Sequence, residues 1–142
     1  MTLHLIKMSV GSVSVESIHR WQQGRKFRHR SGQPAGIHKT TLKPAREREL
    51  LDGGSIYWVV KGRIIARNPL IAFEVEKGRG GKKVSIVYAL PVVPTVPRRH
   101  RPFQGWRYFD PKAAPPDLPG GLKGKAKLPA DLAARLDELG LL

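Results

Sequence analysis

The sequence predicts an α+β domain: a small mixed, mostly antiparallel sheet or partly closed barrel, with two helices and a C-terminal helix. Three observations predict it. Short apolar and β-branched runs recur along the chain, separated by glycine and proline turn signals. Two short helical patterns precede the most apolar run, Ser55–Val60. A stripe formed by Leu132, Ala133, Leu136 and Leu139 closes the chain at helical spacing. The 142 residues suit one domain, read as a body over 1–110, a linker over 111–129 and a helix over 130–142.

The elements follow in order. Leu3 to Val10 reads as a first strand, broken at Gly11-Ser12. Ser14 is placed to cap a helix, with Glu16 in its first turn near the positive end of the dipole. Val15, Ile18 and Trp21 recur every third residue and are expected to pack inward. Arg25 to Arg30 is almost wholly cationic and is expected to project into solvent, before a loop at Ser31-Gly32-Gln33-Pro34. Ile37–Leu42 reads as a second strand. Pro44 suits the first turn of a short helix over Ala45–Leu51, which Asp52-Gly53-Gly54 stops.

Ser55–Val60 is apolar or aromatic on both alternating faces, as a central strand requires. Lys61-Gly62 permits a bend or bulge. Arg63–Ala66 and Leu70–Glu76 read as strands interrupted by Asn68-Pro69, and Gly78-Arg79-Gly80-Gly81 as a hairpin loop leading to Val84–Leu90. Pro91–Pro102 holds four prolines and is expected to be an exposed connection. Phe103–Phe109 reads as a last strand, and the Pro, Gly and Lys content of 111–129 as a loose linker.

Charge is the most unusual bulk property. Lysine and arginine number 26 against 11 acidic residues, a net charge of +15. Ser17–Arg46 and Lys77–Phe109 each hold eight lysines and arginines and no acid. Such a field attracts polyanions. The absence of cysteine excludes disulfides, thiolate nucleophiles and cysteine-ligated zinc, and fits a reducing cytoplasm. No apolar run reaches the ~20 residues that cross a bilayer, and the first residues lack the pattern of a secretory signal. The five histidines show no metal-ligand spacing, so no metal and no cofactor is expected. No nucleophile elbow or phosphate-binding loop is present, and no catalytic residue is assigned.

Three blocks carry a family resemblance: Leu3-His4-Leu5-Ile6-Lys7 with Ser14-Val15-Glu16 and Trp21; Glu49 to Gly62; and Arg101-Pro102-Phe103-Gln104-Gly105-Trp106-Arg107-Tyr108. Together they resemble a family of small bacterial proteins catalogued as domain of unknown function 1489, up to about Leu118. The Arg25–Arg30 segment departs from the family, and the tail after Pro119 finds no counterpart in it. The resemblance implies a cytoplasmic bacterial protein without an established activity. The helix, the Asp52-Gly53-Gly54 turn and the strand after it are also similar to PUA-like and ASCH-type folds, many of which bind RNA.

Two functional expectations follow. In the first, the protein binds RNA or another polyanion: Lys61, Arg63, Arg67, Arg99, Arg101 and Arg107 contact phosphates, and Trp106 or Tyr57 stacks a base. In the second, it is an enzyme or binder of an anionic, nucleotide-like molecule in a barrel-mouth pocket. His4, Lys7, Asp52, Tyr57 and Gln104, with Lys61 and Arg107, then converge in one cleft. Leu132, Leu136 and Leu139 offer a surface for self-association. No membrane partner is expected.

Overall fold

The computed structural model describes residues 1–122. In chain order the elements are β1 (His4–Met8), α1 (Val15–Gln23), β2 (Phe27–Arg28), β3 (Pro34–Thr40), α2 (Glu47–Leu50), β4 (Ser55–Val60), β5 (Arg63–Gly78), β6 (Gly81–Ala89), β7 (Val93–Arg99) and β8 (Trp106–Phe109), then a 3-10 turn over Pro111–Ala113. The strands form a mixed sheet in the order β2-β3-β6-β5-β4-β1-β8, with β7 paired to β5 beside that path. Every pairing is antiparallel except β1 with β4. The path is open, with β2 and β8 at its ends, so the mostly antiparallel sheet is present and the barrel alternative is not closed.

β5 organises the sheet. Its first part pairs with β4 and β7, and its second part, from Leu70 to Gly78, pairs with β6. Register shifts at Ile64/Ala66 and Leu70/Ala72 bend it between the two sets of partners. The reading of Asn68-Pro69 as an interruption is corrected: the strand runs through it. Pro69 lacks a ladder donor, and the next residue restores the pairing, with the Leu70 N–H donating to Gly54 O at 2.9 Å. Asn68 is fully buried. Its Oδ1 accepts from Trp58 Nε1 (2.8 Å) and Gln22 Nε2 (3.0 Å), and its Nδ2 donates to Gln22 Oε1 (3.1 Å) and Ala89 O (3.0 Å). One side chain thus joins α1, β4, β5 and β6.

β4 is buried along its whole length, as its two apolar faces require. Ile56, Trp58 and Val60 enter the larger core with Leu5, Phe73 and Tyr88. Tyr57 and Val59 enter a smaller core on the other face with Ile6, Ile64 and Phe109. Lys61-Gly62 is a two-residue hairpin turn, not a bend within a strand; Lys61 has φ 50° and Gly62 φ 78°.

Ser14 caps α1 as expected, in a box with Ser17: Ser14 Oγ accepts from the Ser17 N–H (3.2 Å) and Ser17 Oγ from the Ser14 N–H (3.0 Å). The inward face of α1 is corrected. Val15, Ile18 and Gln22 are buried, whereas Trp21 is 52% exposed. At about 100° per residue, Gln22 falls between Val15 and Ile18, and Trp21 lies about 60° beyond them. Three-residue spacing drifts off a face; seven-residue spacing returns to it.

The cationic side chains of Arg25–Arg30 are exposed, as expected, but the segment is not a loose end. It contains β2, hairpinned onto β3, and His29 is buried with Nε2 3.0 Å from Glu74 Oε1. Pro91–Pro102 is likewise not an exposed connection. It contains β7, whose Pro94, Thr95 and Val96 are buried. Proline is tolerated because the outer side of β7 meets only a short stretch, through Val96 N–H to Pro116 O (2.8 Å) and Leu118 N–H to Pro94 O (3.0 Å). The first residues of the segment read as a linker therefore pack on the body. The helix read over 130–142 lies outside the described residues. None of the described helices is long and apolar enough to cross a membrane.

Two histidines, buried His4 and partly buried His38, set an acid limit on stability. Burial, then the charge of Arg67, lowers the pKa of His4; its Nδ1 accepts the Ser55 N–H at 2.9 Å, which requires that nitrogen unprotonated. Burial, then the charge of Lys7, lowers that of His38 to about 4. The unfolded chain takes up these protons near pH 6.5 and the folded one only lower. Stability is therefore full above pH 6.5 and falls as pH drops toward about 4. Urea denaturation from pH 7.5 to about 4 tests this, and His38→Gln is expected to flatten part of the fall.

Candidate polyanion-binding surface

Basic groups gather where β5 begins. The turn after β4 supplies Lys61, Gly62 and Arg63, and the end of β7 supplies Arg99, His100, Arg101 and Pro102. Together they line one open depression of about 480 Å³, with no carboxylate among its described lining residues. The register of β5 with β7 places Arg63 directly opposite Arg99. Direct cross-strand partners project to the same side, and like charges there repel. The His100 N–H donates to Gly62 O at 2.9 Å and fastens the two segments together.

Aromatic rings extend this surface. His100 packs edge-on against Phe103 (5.2 Å) and Phe109 (6.2 Å), and the Arg107 guanidinium lies 5.0 Å from the Phe103 ring centre. The His100 Nδ1 is 2.9 Å from Arg101 O, so that nitrogen carries the proton. Phe109 is anchored in the smaller core, with Phe103 packed against it. Arg107 is thereby held on a ring next to the depression, at the end of the sheet formed by β8.

The other expected phosphate ligand, Arg67, is engaged elsewhere. Its Nε and one terminal nitrogen donate to the two oxygens of Asp117, both at 2.8 Å, and the other donates to Ser55 Oγ at 2.8 Å. This fork holds the Asp117 carboxyl below its usual range. The stacking assignments are corrected as well. Tyr57 is 5% exposed, between His4 and Phe109. Trp106 is half-buried, packs on the larger core and donates from Nε1 to Leu42 O at 3.2 Å. Phe103 and His100 are the rings nearest the cations.

The residues expected in one barrel-mouth pocket do not meet. His4 and Tyr57 are packed on the face of the smaller core. Asp52 lies beside α2, with the amino group of Met1 at 3.4 Å. Gln104 is exposed in the loop before β8, and Lys61 and Arg107 belong to the basic surface. Lys7 lines a separate cleft beneath α1. Sequence reasoning missed the other groups of that cleft, His38 and Tyr88. They sit on β3 and β6, and only the β3–β6 register brings them beside β1 and β4. Among the described residues, no three His, Asp or Glu side chains are placed to hold a metal ion.

The second acid-free stretch does not form one field. Lys77, Arg79, Lys82 and Lys83 surround the β5–β6 turn, at the opposite end of β5 from Lys61 and Arg99. Fifteen strand steps span roughly 50 Å of extended chain.

Fold and surface thus define a mixed α+β protein with an arginine-rich, aromatic-backed depression at one end of its longest strand. The chain belongs to the family described as protein of unknown function (DUF1489), whose model matches residues 5–142. That match includes the tail after Pro119, which on sequence reading alone had no counterpart in the family. No curated protein and no solved structure matches the chain.

Proposed function

We propose that this protein binds RNA through the phosphate backbone at the depression formed by Lys61, Arg63, Arg99 and Arg101, with Arg107 and the edge of Phe103 at its margin. The observation that carries the reading is the convergence of cations from two segments distant in sequence on one surface, with no acid among its described lining residues. The register that sets Arg63 opposite Arg99 brings two guanidinium groups to the same side of the sheet. Guanidinium forks suit phosphate oxygens, and the exposed side of Phe103 offers a base a face beside them. The reading takes the protein to be cytoplasmic and bacterial.

The combined variant Lys61→Ala/Arg99→Ala/Arg101→Ala tests this by fluorescence anisotropy with a labelled single-stranded RNA. All three side chains project from turns or a strand end, so the fold is expected to survive. Affinity is expected to fall at least about tenfold, with near-uniform loss across RNA sequences, because phosphate contacts carry no sequence information. Unchanged affinity removes the depression as the site.

A further inference from the structure

A second site is built where α1 crosses the sheet. The cleft holds about 490 Å³ and is lined by the end of β1, the loop after it, α1, and Trp58, Tyr88 and His38 from three strands. Two of its side chains are ones that folding alone does not account for. The first is Lys7. It follows Leu3 and Leu5 on the strand face that enters the larger core, where the alternation calls for an apolar residue. Among the described residues its ammonium has no hydrogen-bond or ion-pair partner, and burial lowers its pKa. A partly buried cation without a counter-ion is costly. Among the described residues, no acidic one lines the cleft. The second is Trp21, whose large ring stands 52% exposed at the cleft, with the Arg25 guanidinium 4.9 Å from its centre.

The remaining walls are flat and neutral. Trp58 packs edge-on against both His38 (6.1 Å) and Tyr88 (6.0 Å), and its Nε1 is held by Asn68. The Tyr88 ring lies flush on the β3 backbone because residue 36 is glycine: a Cβ there would come 2.6 Å from its ring. The titratable groups facing the cleft are Lys7 from β1, His38 from β3 and Tyr88 from β6. His38 and Tyr88 are both kept neutral by burial at pH 7.

We propose that this cleft binds a nucleoside monophosphate, with the phosphate on Lys7 and the base between the aromatic side chains of Trp21 and the Trp58–Tyr88–His38 wall. The volume suits a ligand of that size, larger than a lone aromatic acid. The Lys7 ammonium suits one anionic group, and the rings suit a planar heterocycle. Ser9 and Ser12 border the same space with hydroxyls suited to a ribose. The site is distinct from the basic depression and does not rest on RNA binding.

Titrating the full chain with AMP, GMP, CMP and UMP tests the proposal, read by two-dimensional NMR of the backbone, tryptophan indole and histidine ring signals. At least one nucleotide is expected to shift the Trp21 and His38 signals with a dissociation constant below about 1 mM. Bound phosphate beside Lys7 offsets the charge that disfavours protonated His38, so the pKa of His38 is expected to rise from about 4 on binding. Lys7→Gln is expected to weaken binding at least about tenfold and abolish that rise, and Trp21→Ala to weaken binding about fivefold or more. The Lys61→Ala/Arg99→Ala/Arg101→Ala variant is expected to bind the nucleotide as the parent does. The proposal is overturned if none of the four nucleotides perturbs the cleft at about 1 mM, or if Lys7→Gln, with its melting temperature unchanged, binds as tightly as the parent.

Discussion

Replacing Gly54 with alanine is expected to cost more than about 4 kcal/mol, enough to leave little folded protein. A Cβ at this position would lie 2.2 Å from Leu3 O and 2.3 Å from Leu50 O, both backbone atoms. Neither can step aside. The Leu3 N–H donates to Glu49 O at 3.1 Å, the Gly54 N–H to Leu50 O at 3.0 Å, and Gly54 O accepts from Leu70 at 2.9 Å. The end of α2, the start of β1 and the middle of β5 are thus drawn together on one glycine. Gly53 makes the informative control. It has φ 81°, and its added Cβ would meet only Thr2 Oγ1, at 3.7 Å. Gly53→Ala therefore carries only the left-handed backbone cost of about 1–2 kcal/mol. Urea denaturation of the two variants side by side checks the ranking. Equal stabilities would show that the close approach at Gly54 relaxes freely.

Asn68→Leu is expected to be the most damaging substitution of similar volume in the core, at about 3–5 kcal/mol and roughly a 10 °C fall in melting temperature. Leucine fills the space but removes the partner of Trp58 Nε1 and the Asn68 contacts of the Gln22 amide and Ala89 O in the interior. Asn68→Asp is expected to be nearly as harmful at neutral pH, because a carboxylate would face Ala89 O and Gln22 Oε1. The double variant Gln22→Leu/Asn68→Leu should cost less than the sum of the two single changes, since removing both amides leaves fewer orphaned groups. Thermal melts of the three proteins measure this. Additive costs would deny that the two amides form one unit.

Where a feature is local, it was legible in the sequence. The Ser14 cap, the glycine turn between β5 and β6 and the burial of β4 depend on neighbours a few residues away. Asn68-Pro69 was misread because turn chemistry is the usual use of that pair; its actual use depends on Gln22 and Ala89, far along the chain. The prolines of β7 were read as excluding a strand, yet they sit where the sheet meets only a short covering segment. The basic surface was half legible. Charge type and position were plain for Lys61, Arg99 and Arg101. The withdrawal of Arg67 by Asp117, 50 residues away, was not, because an ion pair between distant segments leaves no trace in spacing. The cleft beneath α1 left one sign, a lysine on the apolar face of β1, and no pattern that names its partners on β3 and β6.

RNA binding by a particular arrangement of cations, as proposed, is separable from binding by bulk charge at the two ends of β5. The measurement is the salt dependence of RNA affinity for the parent, for Lys61→Ala/Arg99→Ala/Arg101→Ala, and for Lys77→Ala/Lys82→Ala/Lys83→Ala, which removes the same charge from the far hairpin. Each phosphate contact to single-stranded RNA contributes about 0.7 to the slope of log affinity against log salt. The first variant is expected to lose roughly 2 from that slope and the second close to none. Equal losses from the two variants, or a parent affinity that does not change with salt, would contradict the account.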